Sequence, residues 1–267
     1  MKQIIIFKGG LGNQMFQYGM YTYRKNVLHR DVAYLYRESD HNGFEIDKYF
    51  DVCLRKASTL YGLLYWIIWR LYKYGISKRY FWLKEDKEDD SQVIFINGYW
   101  QDKKYISHPG FDLKFKPLPL SDRNKSVALA MQESSSIAVH IRRGDYLSPS
   151  NSQMIYKLGT EYFREAIRIC EERIPSPCKI FFFSDDIAWV KENLKYDNAV
   201  YVDWNKGTDS IYDMYLMSLA SANVIANSTF SFWSAFLNTR KQVVVYPSKW
   251  FADGATRDIF PNDWVAL

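Results

Sequence analysis

The stretch Ser136-Ile137-Ala138-Val139-His140-Ile141-Arg142-Arg143-Gly144-Asp145-Tyr146 decides how the chain is read, because an apolar run ends within it in paired charges. Ile137 to Ile141 is apolar and rich in β-branched residues, the composition of a strand covered on both faces in a parallel sheet. Arg142 to Asp145 then mark its carboxyl end. Ligands of open α/β sheets bind outside that end, so His140, Arg142, Arg143 and Asp145 read as an anion-binding group. Arginine suits phosphate because its planar fork donates two parallel, charge-assisted hydrogen bonds. Adjacent arginines pointing to opposite faces need two partners, which favours a ligand with more than one anionic group, such as a diphosphate. The alternative is a structural ion pair of Arg142 with Asp145 that caps the strand and adds little stability.

Working outward toward the start, Lys2 to Phe7 reads as a first strand and Lys8-Gly9-Gly10-Leu11-Gly12-Asn13-Gln14 as a glycine loop opening a helix from about Met15 to Leu28. Glycines there let backbone approach a ligand, and the helix's unpaired N–H groups point into the same space. A dinucleotide fingerprint fits poorly, since Met15 stands where its third glycine belongs, and no Gly-Lys-Ser/Thr of a P-loop follows. Asn13 and Gln14 remain as neutral amides able to hold sugar hydroxyls or a phosphate oxygen, with an ordinary N-cap as the alternative for Asn13.

Val32 to Tyr36 reads as a second strand. Leu60 to Leu83 carries an apolar run, interleaved with Tyr and Trp, that ends in Arg70, Lys73, Lys78 and Arg79. It is too short to span a bilayer, and of the two remaining readings, an interfacial helix or a buried helix with a basic exit, the buried one is favoured. Val93 to Asn97 resumes as a strand, followed by Gly98-Tyr99-Trp100-Gln101, aromatics placed to line a sugar site. Pro109 to Lys125 reads as an interdomain linker.

Beyond the charged cluster the chain alternates again: a helix over about Thr160–Arg173, a strand Lys179–Phe183 ending in Ser184-Asp185-Asp186, a helix Ile187–Leu194 and a strand Ala199–Val202. A helix Asp209–Ala220, a strand Asn223–Ala226, a helix opened by Asn227-Ser228-Thr229 and a last strand Gln242–Tyr246 complete it. This alternation predicts an α/β chain of two Rossmann-like, doubly wound domains facing a cleft, at 1–118 and 119–267, to which the family resemblance named below assigns the acceptor side and the donor side respectively.

Composition agrees with a globular chain: 267 residues with 48% hydrophobic content sustain a packed core, and a net charge of +5 is too modest and too dispersed for nucleic-acid binding. Aromatic content of 18% exceeds what a core requires and fits a surface that stacks on sugars, or else core and interface filling. Cys53, Cys170 and Cys178 are unclustered, which predicts a reducing compartment without disulfides, and the start lacks signal-peptide character; a cytoplasmic protein is expected.

Asn227, Ser228 and Thr229 supply an N-cap and hydroxyls at a helix start, and with Arg142 they would form a diphosphate cradle. Asp213 could accept from a guanine edge, or be a solvated helix charge. Asp185 and Asp186 could suggest a metal site, but no Asp-x-Asp occurs and the four histidines are unpaired. Chemistry without a metal or other cofactor is therefore expected, with arginine and a helix dipole in the cation's role.

His140-Ile141-Arg142-Arg143-Gly144-Asp145 resembles the first motif of fucosyltransferases that make α1,2, α1,6 and protein O-linked products. Residues 9–17, Gly98-Tyr99-Trp100-Gln101, Phe183-Ser184-Asp185-Asp186 and Asn227 to Trp233 together resemble the family 11 α1,2-fucosyltransferases over nearly the whole chain. The one departure is Phe232, where a second Trp is expected before Trp233. The resemblance implies a bacterial-type, inverting, metal-independent glycosyltransferase of the B type that moves L-fucose from GDP-β-L-fucose to the 2-OH of a galactoside glycan. It implies donor-diphosphate contact by Arg142, guanosine contacts by His140 and Asp213, and phosphate contacts near Ser228 and Thr229; Arg143, Asp185 and Asn227, at the same strand ends, are further donor-binding candidates. Asp145 is the first candidate for general base, with orientation of Arg142 as its alternative role, and Asn13 is a candidate for a contact to acceptor or leaving phosphate. Peripheral membrane contact and the oligomeric state stay open at this stage, and a non-enzymatic sugar-binding protein or a transferase for another GDP-sugar are the competing readings.

Overall fold

A computed structural model describes residues 2–37, 41–75, 83–84, 93–144 and 153–267. The chain divides into two compact units, Met1–Lys116 and Pro117–Leu267, a division inside the proline-bearing stretch 109–125.

In the first unit, β1 (Lys2–Phe7) leads into α1 (Leu11–Thr22), which continues as a π-helical turn Tyr23–Val27 before β2 (Asp31–Tyr36). A short α2 (Ile46–Tyr49), α3 (Thr59–Lys73), a two-residue β3 (Leu83–Lys84) and β4 (Phe95–Asn97) follow. The sheet order is β2-β1-β4-β3 and every pairing is parallel. The chain leaves β1 toward β2 and returns on its other side to β4. The topological switch point therefore lies between β1 and β4, where such sheets take their ligands.

In the second unit, α4 (Asp122–Glu133), β5 (Ser135–Ile141), α5 (Thr160–Glu171), β6 (Cys178–Ser184), α6 (Ile187–Asn193), β7 (Ala199–Val202), α7 (Ser210–Met217), β8 (Ala222–Val224), α8 (Thr229–Phe236), β9 (Val243–Tyr246) and β10 (Val265–Ala266) form a six-stranded parallel sheet of order β10-β9-β8-β5-β6-β7. Its switch point lies between β5 and β8. The stretch 137–141 is the buried central strand expected of it. Ile137, Val139 and Ile141 pack on one face against Phe163, Ala166, Ile167 and Cys170 of α5, while Ala138 on the other meets Val127, Ala128 and Met131 of α4 and Leu216 and Met217 of α7. Burial on both faces is why alternation is missing from its sequence, and each fully buried large apolar side chain contributes about 1.5–3 kcal/mol.

The α/β class with parallel, doubly wound sheets stands as expected. Several element readings are corrected. Helix α1 begins at Leu11, not near Met15, with Gly10 in extended conformation as its N-cap, so Asn13 and Gln14 lie in its first turn. Residues 122–133 are a helix and not linker. The last strand is β10, paired with β9 at the sheet edge. The run from Leu60 is not a buried helix: in α3 only Tyr65 is buried, and Leu60, Leu63, Trp66, Ile67 and Leu71 are exposed. Residues 76–82 lie outside the described residues. No described helix is long and apolar enough to cross a membrane.

Candidate active site

In the second unit, β5 and β6 end side by side, with Ile141 in register with Ser184, so Arg142-Arg143 and Asp185-Asp186 leave adjacent carboxyl ends. The geometry sorts the four charges into two pairs. Arg142 Nε lies 3.2 Å from Asp185 Oδ2, and Arg143 Nε lies 3.1 Å from Asp186 Oδ2. The backbone N–H of Arg143 donates to Asp185 Oδ1 at 2.9 Å. Gly144 closes this arrangement, because a Cβ there would sit 2.9 Å from Asp185 Oδ2.

The two arginines are therefore not equivalent. The Arg143 guanidinium lies 3.8 Å over the Trp189 ring and is held by Asp186, which also caps α6 by accepting from Trp189 N at 3.2 Å. Arg143 anchors α6 to the strand end. Asp185 likewise faces Arg142 and the Arg143 backbone, and a carboxylate so placed positions the arginine. Asp145 lies outside the described residues.

On the other side of β5, Val139 is in register with Val224 of β8, so the segment after β8 emerges next to the segment after β5. Helix α8 starts there: Ser228 is its N-cap, its Oγ accepts from Phe230 N at 3.3 Å, and no acidic residue occupies the first turn. The remaining first-turn N–H groups and the helix dipole favour an anion at Ser228 and Thr229. His140 sits beside this start, its ring centroid 5.7 Å from that of Phe230. Burial and the Arg142 charge push the His140 imidazole down to about 4, with Asp185 opposing, so the ring is neutral at physiological pH. Its Nδ1 is buried and has no hydrogen-bond partner among the described residues. An unmet buried polar atom at the switch point is what a ligand-binding residue looks like before ligand arrives.

Asn227 is reassigned. Its side chain is buried and its Nδ2 donates to Tyr156 O at 2.7 Å and Trp250 O at 3.0 Å, which ties two loops to the end of β8. Asp213 is no solvated helix charge. Burial raises its carboxyl to about 7, against a hydrogen bond from Asn205 Nδ2 at 2.7 Å that favours the charged form. Asn205 also exchanges hydrogen bonds of 3.0 Å with Asn124, whose Oδ1 accepts from Trp204 Nε1 at 2.8 Å. The sequence reading missed Asn124 and Asn205; isolated asparagines in a helix start and a loop carry no spacing signal.

The first unit has its own polar group at its switch point. Gln101 Nε2, after β4, donates to Asn13 Oδ1, after β1, at 2.8 Å. Gly9 has φ +76°, and a Cβ there would lie 2.8 Å from Asn13 Nδ2, so backbone and space both require glycine. Gln14 is a brace, not a ligand amide: Nε2 donates to Gly9 O and Gly43 O while Oε1 accepts from Glu45 N and Ile46 N. Gln17 does the same between Lys8 and Gly98. Among the described residues no group of three or more His, Cys, Asp or Glu side chains is gathered as a metal ion requires.

Comparisons with known proteins agree with this layout. The model of glycosyl transferase family 11 matches residues 2–267. An α-1,2-colitosyltransferase of Escherichia coli is 32% identical over 97% of this chain and 96% of its own length. The O-antigen biosynthesis glycosyltransferase WbnK of Escherichia coli is 30% identical over 97% and 98%. Among solved structures, the fucosyltransferase NodZ from Bradyrhizobium superposes with a TM-score of 0.55 at 15% identity, over 89% of this chain and 93% of that one, which is a likeness of fold.

Proposed function

The chain belongs to glycosyl transferase family 11, and from that premise we propose that it transfers L-fucose from GDP-β-L-fucose to the 2-OH of a terminal galactoside, with inversion and without a metal ion. The observation that carries this reading is the set at the β5/β8 switch point: Arg142 held by Asp185, the N-terminus of α8, and the unpartnered Nδ1 of neutral His140.

In this account the donor diphosphate lies between Arg142 and Ser228–Thr229, and the guanosine part meets His140 and Asp213. An ionised Asp213 carboxylate matches the two adjacent N–H donors of guanine. The acceptor hydroxyl attacks the anomeric carbon from the face opposite the departing GDP, so a β-linked donor gives an α-fucoside. Negative charge accumulates on the leaving phosphate in the transition state, so Arg142 and the α8 dipole act most strongly there. They take the part a cation would otherwise play, and Asp185 and Asp186 are already matched to arginines. The proton goes to Asp145, the carboxylate that follows the arginine pair in sequence. The Asn13–Gln101 amide pair is assigned to the acceptor or the leaving phosphate.

A second reading, transfer of a sugar other than fucose from a guanosine-linked donor, takes support from the relative named as an α-1,2-colitosyltransferase in the identity of the sugar alone. Incubation with lactose and competing GDP-fucose, GDP-mannose and GDP-colitose, followed by NMR of the product, separates the two. An α1,2-fucosyl product formed in preference to the others supports the first reading; preference for another donor supports the second. Donor binding without turnover would point to a different acceptor, and absence of any donor binding would support a sugar-binding protein.

A further inference from the structure

Helix α3 carries a surface that the reaction does not use. Its inner side, Tyr61, Leu64, Tyr65, Ile68 and Trp69, packs on Ile4, Ile6, Ala33 and Phe95 of the sheet. Its outer side is as apolar as its inner one. Leu60 (70% exposed), Leu63 (57%), Trp66 (51%), Ile67 (41%) and Leu71 (38%), with Tyr74 (68%) just beyond the helix end, recur at three- and four-residue spacing. They account for six of the eleven exposed large hydrophobic side chains among the described residues, so they form one stripe, about 22 Å long at helical rise, and not a scatter.

The edges of this stripe are cationic. Helix α3 has no acidic residue; it carries Arg70 and Lys73 in its last turn and follows the exposed Arg55 and Lys56. Arg70 lies 4.3 Å over Trp66, Arg37 lies 4.3 Å over Trp69, and Lys2 lies 5.8 Å over Tyr61. Long basic side chains folded back along aromatic rings keep their charged ends at the rim of an apolar face. Asp31 is paired with Arg55 and offsets that one charge, which leaves Lys56, Arg70 and Lys73 as the rim's cations among the described residues.

From this pairing of an apolar stripe with a basic rim we infer that the outer face of α3 docks on an anionic lipid bilayer, lying in the interface with Leu63 and Ile67 toward the acyl chains. Trp and Tyr beside the stripe suit the headgroup level, and Arg70 and Lys73 meet lipid phosphates. A second copy of the chain fits less well, because a two-fold contact through this face would bring the same basic rims together. Docking also has a consequence for the first unit. Lys2 at the start of β1 faces Tyr61 and Arg37 beyond the end of β2 faces Trp69, so α3 runs toward the carboxyl edge of the sheet, the edge that carries Asn13 and Gln101. A lipid-anchored acceptor glycan would be presented along that edge.

The test is flotation of the purified chain with vesicles of phosphatidylcholine, with and without about one-third phosphatidylglycerol, at low and high salt. Two variants accompany it: Leu63→Ser with Ile67→Ser, which removes the stripe, and Arg70→Gln with Lys73→Gln, which removes the rim. These side chains are exposed, so thermal melting is expected to match the parent, as is turnover of a soluble galactoside. The expected result is binding to the anionic vesicles that is about tenfold weaker in high salt, about tenfold weaker on neutral vesicles, and reduced at least as much by either variant. Absence of binding to anionic vesicles, or binding indifferent to both variants, would overturn the proposal. A concentration-dependent dimer by light scattering, abolished by Leu63→Ser with Ile67→Ser, would assign the face to a second copy and overturn it as well. Unchanged turnover in solution keeps any of these outcomes separate from the transferase reading.

Discussion

Asp185 divides its carboxylate between two arginines: Oδ2 lies 3.2 Å from the Arg142 side-chain Nε, and Oδ1 accepts the Arg143 backbone N–H at 2.9 Å. The contact fixes the guanidinium plane of Arg142 from its Nε edge at the switch point of the sheet. As a partly exposed ion pair it contributes about 1 kcal/mol or less to stability, so its consequence is orientation. Replacing Asp185 by Ala or Asn is therefore expected to leave thermal melting within a few degrees of the parent while lowering kcat substantially. Steady-state kinetics beside a melting curve checks this. A protein that unfolds would instead assign Asp185 to the core.

Arg142 and Arg143 should separate by function. On the proposed role, loss of Arg142 removes a donor to the leaving phosphate, an effect of about 10²–10³ in kcat in comparable oxyanion sites. Arg143→Ala removes the pair with Asp186 and the stack on Trp189, which loosens α6, so it should lower melting temperature more than Arg142→Ala does and lower kcat less. Parallel kinetics and melting of the two variants decide it.

Asp213 gives a pH dependence of defined sign. Its folded carboxyl is raised to about 7, above its range in the unfolded chain. Between about pH 4 and 7 the unfolded state releases this proton while the folded state keeps it, so this group's contribution to stability is full below that window, falls through it, and is flat above. Asp213→Asn should abolish that slope and make the protein without donor more stable at pH 8, as read by denaturant midpoints. If Asp213 holds guanine as proposed, the contact needs the charged carboxylate, so GDP affinity of the parent should weaken as pH drops below about 7 and that component should vanish in the variant.

Gly9→Ala forces a left-handed residue and a Cβ 2.8 Å from Asn13 Nδ2. The backbone cost is about 1–2 kcal/mol, and Asn13 must move off Gln101. The expected outcome is a lower melting temperature together with a raised KM for the acceptor or a lowered kcat. Gln101→Leu should reproduce the kinetic effect with little change in stability, and calorimetry beside kinetics distinguishes the two.

Asn227→Ala cuts the hydrogen bonds to Tyr156 O and Trp250 O, and although Trp250 O keeps the Tyr156 N–H at 3.2 Å, the partly buried Tyr156 carbonyl loses this donor, at about 1 kcal/mol. Because Asn227 is a brace, the folded variant should keep the parent's KM for donor. A donor KM raised without loss of stability would restore it to the binding group.

The fold was legible in the sequence where burial on both faces wrote continuous apolar strands, as in residues 4–7, 137–141 and 180–183. Helix α4 was not, because its core-facing positions Asn124, Val127, Ala128 and Met131 open on a buried asparagine and follow a proline-bearing stretch. The outward face of α3 was misread because a helix apolar on both sides looks buried when its environment is unknown. Within the site, residue types marked the β5 end and the α8 start, but not the division of labour between Arg142 and Arg143. That depends on Trp189 and Asp186, which reach Arg143 only through the pairing of β5 with β6. The same holds for Gln14 and Asn227: an amide at a strand end looks alike in sequence whether it faces a ligand or backbone carbonyls.

The central claim is that Arg142, held by Asp185 beside the α8 start, draws the leaving GDP away from fucose without a metal ion. The most direct measurement is GDP release from GDP-fucose with lactose as acceptor, in excess chelator, for the parent and for Arg142→Ala. Chelator-resistant release with a matching fucosylated product, reduced about 10²–10³-fold in the variant, is the expected result. Release that stops on chelation and returns with a divalent cation, or that is unchanged in Arg142→Ala, would contradict it.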